Sequence, residues 1–167
     1  MDRRPSSTEK AWMAGFVDGE GTVTIVKQIR RNRPSPTYHA YARIDNTDKH
    51  SLSIFATYYG GKIYLKKEKR RDLMGNKWAD AYTWQCPVST TRRFLTDLLP
   101  FLRLKNKQAE IVLQFIDNKN AFARGKRKRR GGSSPLTQGE IEFRERLRRE
   151  VRLLNRKGKF ARTHGGG

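Results

Sequence analysis

Two acids close the first apolar stretch of this chain, in Asp18-Gly19-Glu20-Gly21, at what should be the C-terminus of a helix. That end of a helix already carries partial negative charge, so carboxylates there are unfavourably placed unless a cation offsets them. Hard divalent ions prefer carboxylate and carbonyl oxygen, which makes the segment a candidate metal site. A solvated acidic turn, paired with one of the many arginines, fits the same pattern, and charge arithmetic does not separate the two. Ala11 and Gly15 lie four apart on one face of the same helix, with Ala14 beside them, so another backbone could approach closely. Either the helix tucks onto its own sheet, or it pairs with a second copy across a two-fold axis and two Glu20 side chains converge. His39, His50 and His164 have no metal-ligand spacing, which argues against zinc.

The surrounding elements must hold these residues. Ser6-Ser7-Thr8-Glu9 has the form of a capping box, and the apolar and small residues after it suit a short helix that Gly19 and Gly21 break. Thr22 to Arg30 alternates, with Val23, Ile25 and Ile29 on the apolar side. Thr37 to Asn46 alternates again, setting Thr37, His39, Tyr41, Arg43 and Asp45 against Tyr38, Ala40, Ala42 and Ile44. Asp48 can start a helix through Leu52, Phe55, Ala56 and Tyr59, stopped by Gly60-Gly61. A second hairpin runs from Lys62 to about Lys69, with Ile63 and Leu65 inward, and back from Ala79 to Cys86, with Tyr82, Trp84 and Cys86 inward. Helical spacing returns over Ser89 to Leu99 and Asn106 to Ile116. Residues 124–134 have the composition of a basic flexible linker, and Gly139 to Lys157 places Phe143, Leu147, Val151 and Leu154 on one stripe of an arginine-rich helix. The organisation expected is a core over 1–123, a linker over 124–134, and a C-terminal amphipathic helix and tail over 135–167. Trp12, Trp78 and Trp84 are expected to be core or loop anchors.

Charge narrows the partner. The 37 Lys and Arg outweigh 16 Asp and Glu by 37 − 16, a net charge of +21, which attracts polyanions. No apolar run approaches the roughly 18 residues of a spanning helix, and no apolar insertion face suits a membrane surface. A single cysteine, Cys86, and a polar start without a secretory signal point to an intracellular, reducing setting.

Met13-Ala14-Gly15-Phe16-Val17-Asp18-Gly19-Glu20-Gly21 resembles the LAGLIDADG motif that names a family of homing endonucleases. Ala14, Gly15, Asp18 and Gly21 match it outright. Met13, Phe16 and Val17 exchange one apolar residue for another, Gly19 stands where the name has Ala, and Glu20 replaces the last Asp but keeps the carboxylate. The order of elements over residues 6 to about 117 resembles the family's plan, and Pro100 to Ala109 is similar to a second family signature.

The resemblance implies an α+β fold in the order α-β-β-α-β-β-α, with a curved antiparallel DNA-binding sheet and extra C-terminal helices. It implies a homodimer that makes double-strand breaks in a long, roughly palindromic duplex site and leaves short 3′ overhangs. Glu20, with the Gly19 carbonyl, would hold magnesium at the scissile phosphate, with manganese able to substitute and calcium binding without supporting cleavage. Lys105 matches a lysine near that phosphate, and Asn46 a polar position where Gln is more usual. Ala11, Ala14, Gly15 and Asp18 would lie at the dimer interface, Asp18 supporting the helix end or interface rather than the metal. Outward parity gives Thr24, Gln28, Arg30, His39, Tyr41, Arg43, Lys66, Glu68, Thr83 and Gln85 as candidate base readers in the major groove. The basic residues at 66, 67, 69–71 and 124–130 would set affinity and salt dependence. No small-molecule cofactor or membrane partner is expected. An RNA-binding maturase or a non-cutting regulator on the same scaffold would have no need of Glu20 and Lys105, and a ribosomal-type RNA binder would explain the charge but not the motif helix.

Overall fold

A computed structural model of the chain describes residues 4–67, 73–76, 79–125 and 135–160. Among these the elements follow in the order α1 (Ser7–Glu20), β1 (Gly21–Gln28), β2 (Thr37–Asn46), α2 (Lys49–Tyr59), β3 (Lys62–Lys66), β4 (Ala81–Gln85), α3 (Val88–Leu98), α4 (Asn106–Gly125) and α5 (Gln138–Phe160). The strands form one sheet in the order β1-β2-β4-β3, with β4 antiparallel to both β2 and β3. The chain divides into two compact units, Met1–Thr22 with Tyr41–Lys105, and Val23–Ala40 with Asn106–Gly167.

In the first unit, α1 begins as the sequence indicates. Ser6 Oγ accepts from the Glu9 amide at 3.3 Å while the Glu9 carboxylate accepts from the Ser6 amide at 2.7 Å, satisfying two donors that the helix start would leave orphaned. Gly19 does not end the helix, which runs through it to Glu20 and is capped at Gly21. A Cβ on Gly21 would lie 2.7 Å from the Val17 carbonyl oxygen, so close approach demands the glycine there. Asp48 caps α2 by accepting from the His50 and Ser51 amides at 3.0 Å each, and Gly60 and Gly61 stop that helix at φ +72° and +96°. Phe55, Trp84 and Phe94 form the aromatic centre, with Trp84 5.3 Å from each of the others, and the indole N–H donates to the Gly60 carbonyl at 2.9 Å. Cys86 is buried beside them, and burial pushes its thiol up to about 11, as expected of an inert core residue.

Two expectations fail here for lack of a covering neighbour. β3 stops at Lys66 and is an edge strand, so Leu65, on the inward parity, is half-exposed. Trp12 is 42% exposed on α1 rather than a core anchor, unlike Trp84, which is fully buried. Trp78 and Glu68 lie outside the described residues.

In the second unit, β1 ends at Gln28, which leaves Ile29 exposed beyond it instead of continuing the apolar row. Val23, Ile25, Tyr38, Ala40, Ala109, Ile111, Val112, Phe115, Leu147 and Val151 are its buried apolar residues. α4 continues past Ile116 to Gly125 and takes in the first two residues of the basic run; residues 126–134 lie outside the described residues. α5 opens with a second capping box, in which Glu140 accepts from the Thr137 amide at 2.6 Å and Thr137 Oγ1 from the Glu140 amide at 3.3 Å. Glu145 is the polar centre, taking Tyr38 Oη at 2.9 Å, the Lys27 ammonium, and Arg148 at 3.2 Å. Burial and the bond to Glu145 push the Tyr38 hydroxyl up to about 12. Asn155 Nδ2 donates to the Val23 carbonyl at 3.1 Å and ties α5 to β1.

Candidate functional site

The end of α1 separates its two acids. Asp18 is buried, and its carboxylate accepts the Arg103 amide at 2.7 Å and the Lys105 amide at 2.9 Å. The Lys105 ammonium donates to the Val17 carbonyl at 2.9 Å and to the Asp18 carbonyl. The cation that the helix end calls for is therefore supplied within the chain, by a lysine laid across the Asp18 carbonyl and the Val17 carbonyl, the latter also accepting the Gly21 amide. Glu20 and Gly19 are exposed, and no described hydrogen bond or ion pair engages the Glu20 carboxylate. Asn46 is committed elsewhere, since its Oδ1 accepts the Asp48 amide at 2.8 Å in the turn that leads into α2. The second lone pair of that oxygen and the amide nitrogen are left to orient a ligand.

The stripe of small residues on α1 also divides. Ala14 is fully buried, so it packs within the chain and cannot serve an interface, and Asp18 likewise faces its own loop. Ala11 and Gly15 are exposed, and a Cβ at Gly15 or Gly19 would meet nothing within 4 Å. Beside this face Thr8, Glu9, Trp12, Ile54, Thr57 and Tyr58 line a groove of about 490 Å³ between α1 and α2.

In the first unit, the outward face of the sheet is ordered by cross-strand register. Arg43 stands opposite Gln85 and Gln85 opposite Lys62; Asp45 stands opposite Thr83 and Thr83 opposite Tyr64. The reverse face carries the row Ile44, Trp84 and Ile63, of which the first two are fully buried. Tyr41 shares the outward parity and is half-buried, and Lys66 is exposed at the end of β3. In the second unit Thr24, Gln28 and His39 hold the outward parity of β1 and β2, with Arg30 just past β1 and its guanidinium 3.4 Å from Gln28 Oε1. Burial, followed by the charges of Lys119, Arg30 and Arg33, lowers the pKa of His39.

No family model matches the chain. The DNA endonuclease I-CreI of Chlamydomonas reinhardtii is 30% identical to it over 107 residues, 64% of this chain and 61% of that protein, so the chain spans less than two thirds of the length of this relative. Among solved structures, the homing endonuclease I-CvuI in complex with the I-CreI target overlays with a TM-score of 0.64 at 22% identity, covering 88% of this chain and 82% of that one. The LAGLIDADG homing endonuclease I-LtrWI bound to target DNA overlays at 0.59 with 13% identity, over 84% and 43%. The fold is that of the LAGLIDADG homing endonucleases.

Within that LAGLIDADG fold, the residues picked from sequence fall into three groups. Glu20, Gly19, Asp18 and Lys105 come together at the end of α1, whereas Asn46 is held by its own turn. Tyr41, Arg43, Thr83 and Gln85 share one sheet face. Asp45, Lys62 and Tyr64 belong to that face as well and were not among the expected readers, although period-two parity alone places them there.

Proposed function

We propose that the chain is a divalent-metal-dependent homing endonuclease that acts inside the cell as a homodimer on a long, pseudo-palindromic duplex site. The observation that carries this reading is the exposed, unengaged Glu20 beside a helix end already neutralised by Lys105. A carboxylate with no structural duty, next to one that is fully used, is free for chemistry. The relative I-CreI is named a DNA endonuclease, and I-CvuI is described in complex with DNA targets in the presence of magnesium, with the DNA not cleaved, and of calcium.

The donor set fits magnesium. Among the described residues no three His, Cys, Asp or Glu side chains cluster closely enough to cage an ion, and magnesium is commonly held by one or two carboxylates, water and substrate phosphate. Glu20 and the Gly19 carbonyl are the ligands this chain offers, with manganese expected to substitute and calcium to bind without cutting. The bound ion would supply an activated water and stabilise the leaving oxygen. Lys105 holds the helix end at fixed charge, and Asp18 holds the backbone that carries Lys105. The outward sheet faces supply hydrogen-bonding side chains to base edges, and the +21 charge supplies affinity for the backbone.

Dimerisation is supported by glycines that nothing among the described residues explains. A glycine inside a helix costs about 1 kcal/mol relative to alanine, and neither Gly15 nor Gly19 has a neighbour that would exclude a methyl group. Close approach of a second α1 accounts for both.

The test is incubation of the full chain with a randomised duplex library in magnesium and in calcium, with cut ends sequenced and Glu20→Gln run alongside. Discrete magnesium-dependent breaks that vanish in the variant are expected. Binding without breaks in either ion would sink the nuclease reading and favour a maturase or regulator.

A further inference from the structure

We infer that Asp45 is a specificity-determining positioning residue, which fixes the Arg43 guanidinium on the outward face of the sheet so that it addresses one base pair in a single orientation. This rests on the DNA-recognising function proposed above. Arg43 and Asp45 are two apart on β2 and therefore neighbours on one face. Arg43 Nε lies 3.3 Å from Asp45 Oδ2, while Thr83 Oγ1, directly across the ladder, donates to Asp45 Oδ1. One carboxylate oxygen thus accepts a hydrogen bond from a hydroxyl held on the neighbouring strand, and the other forms an ion pair with the guanidinium without a hydrogen bond from Nε.

The geometry leaves the useful end of the arginine open. A guanidinium has five N–H donors in a rigid fork, and an ion pair on the Nε side leaves the four donors of the two terminal nitrogens open. That pair is the group that meets O6 and N7 of guanine in the major groove. An unheld arginine on a sheet face would sweep many rotamers and could equally settle on a phosphate, which carries no sequence information. Gln85 stands on one side of Arg43 in the cross-strand row and Lys62 beyond it, so neighbouring donors fill the lateral space without supplying another acid. Asp45 is also an anion on a face meant for a polyanion, a placement that weakens general affinity and is useful only if it raises selectivity.

The test is enrichment of bound duplexes from a randomised library in calcium, using the full chain as wild type, Asp45→Asn, Asp45→Ala, Arg43→Ala and the double variant Asp45→Ala/Arg43→Ala. The wild type should prefer guanine at one position in each half-site. Asp45→Ala should lower that preference about tenfold, leave the other positions unchanged, and bind the unselected library more tightly. Asp45→Asn, which keeps the Thr83 contact but loses the charge, should fall between. Adding Asp45→Ala to Arg43→Ala should change nothing further at that position. Unchanged base preference in Asp45→Ala, or an even decline at every position with a lowered melting temperature, would overturn the inference. A wild type that enriches a site but never cuts it in magnesium would end the nuclease reading alone; no enrichment at all would end both.

Discussion

The end of α1 and the middle of α5 are both rich in charge, yet they use it in opposite ways. On α5, Glu145 is closed off by Tyr38, Lys27 and Arg148, which together with its surroundings bind α5 to the strands of the second unit. On α1, Asp18 is closed off in the same manner, but Glu20, two residues later, is not. Perturbed titration would have pointed to the wrong place: the pronounced shifts belong to Tyr38, Tyr59 and Cys86, all structural. In this molecule an acid's engagement is what separates a scaffold residue from a candidate ligand.

That contrast can be broken in order of expected effect. Glu20→Gln should cut magnesium-dependent cleavage by about 10³-fold while binding in calcium and the melting temperature stay as in wild type, measured on a single selected site. Asp18→Ala should instead lower unfolding stability by about 3 kcal/mol, because the part-buried bonds from the Arg103 and Lys105 amides lose their charged acceptor; a denaturant midpoint equal to that of the wild type would refute it. Glu145→Gln should lose about 2 kcal/mol at neutral pH. Burial alone would raise the Glu145 pKa, but the bonds from Lys27 and Tyr38 and the charges of Lys27 and Arg148 outweigh it and hold it low. Its contribution is therefore present above the ordinary carboxylate range and lost as pH falls through the folded value, so wild type and variant should converge in acid. Gly15→Ala should stabilise the isolated chain by up to about 1 kcal/mol and weaken the dimer, with sedimentation at graded concentration separating the two effects. Replacing the exposed Arg146 and Arg149 with Gln should only flatten the salt dependence of DNA binding slightly, by about one unit of slope for each phosphate no longer neutralised.

What sequence reveals follows the range of the interaction. The box at Ser6–Glu9, the alternation of β2 and the stop at Gly60-Gly61 were all legible, because each is decided by residues within a few positions. Ile29, Leu65 and Trp12 were not, because whether an apolar residue is covered depends on a strand's end or a sheet's edge, which its own alternation does not encode. The site was half legible. Charge at the end of α1 marked the place, but the assignment of Asp18 to a loop 85 residues away, and of Lys105 to the helix carbonyls, exists only in three dimensions. At Asn46 the motif position suggested a role beside the metal or water, and the fold adds a contact that the motif does not announce, its oxygen accepting the Asp48 amide in a short-range turn.

The grip of Asp18 on the amides of Arg103 and Lys105, with Lys105 reaching back to Val17 and Asp18, makes two distant stretches of chain a single mechanical part. Anyone grafting this motif onto another scaffold would have to carry both: the nine motif residues alone would arrive with an acid that has lost its loop and a helix end that has lost its counter-charge.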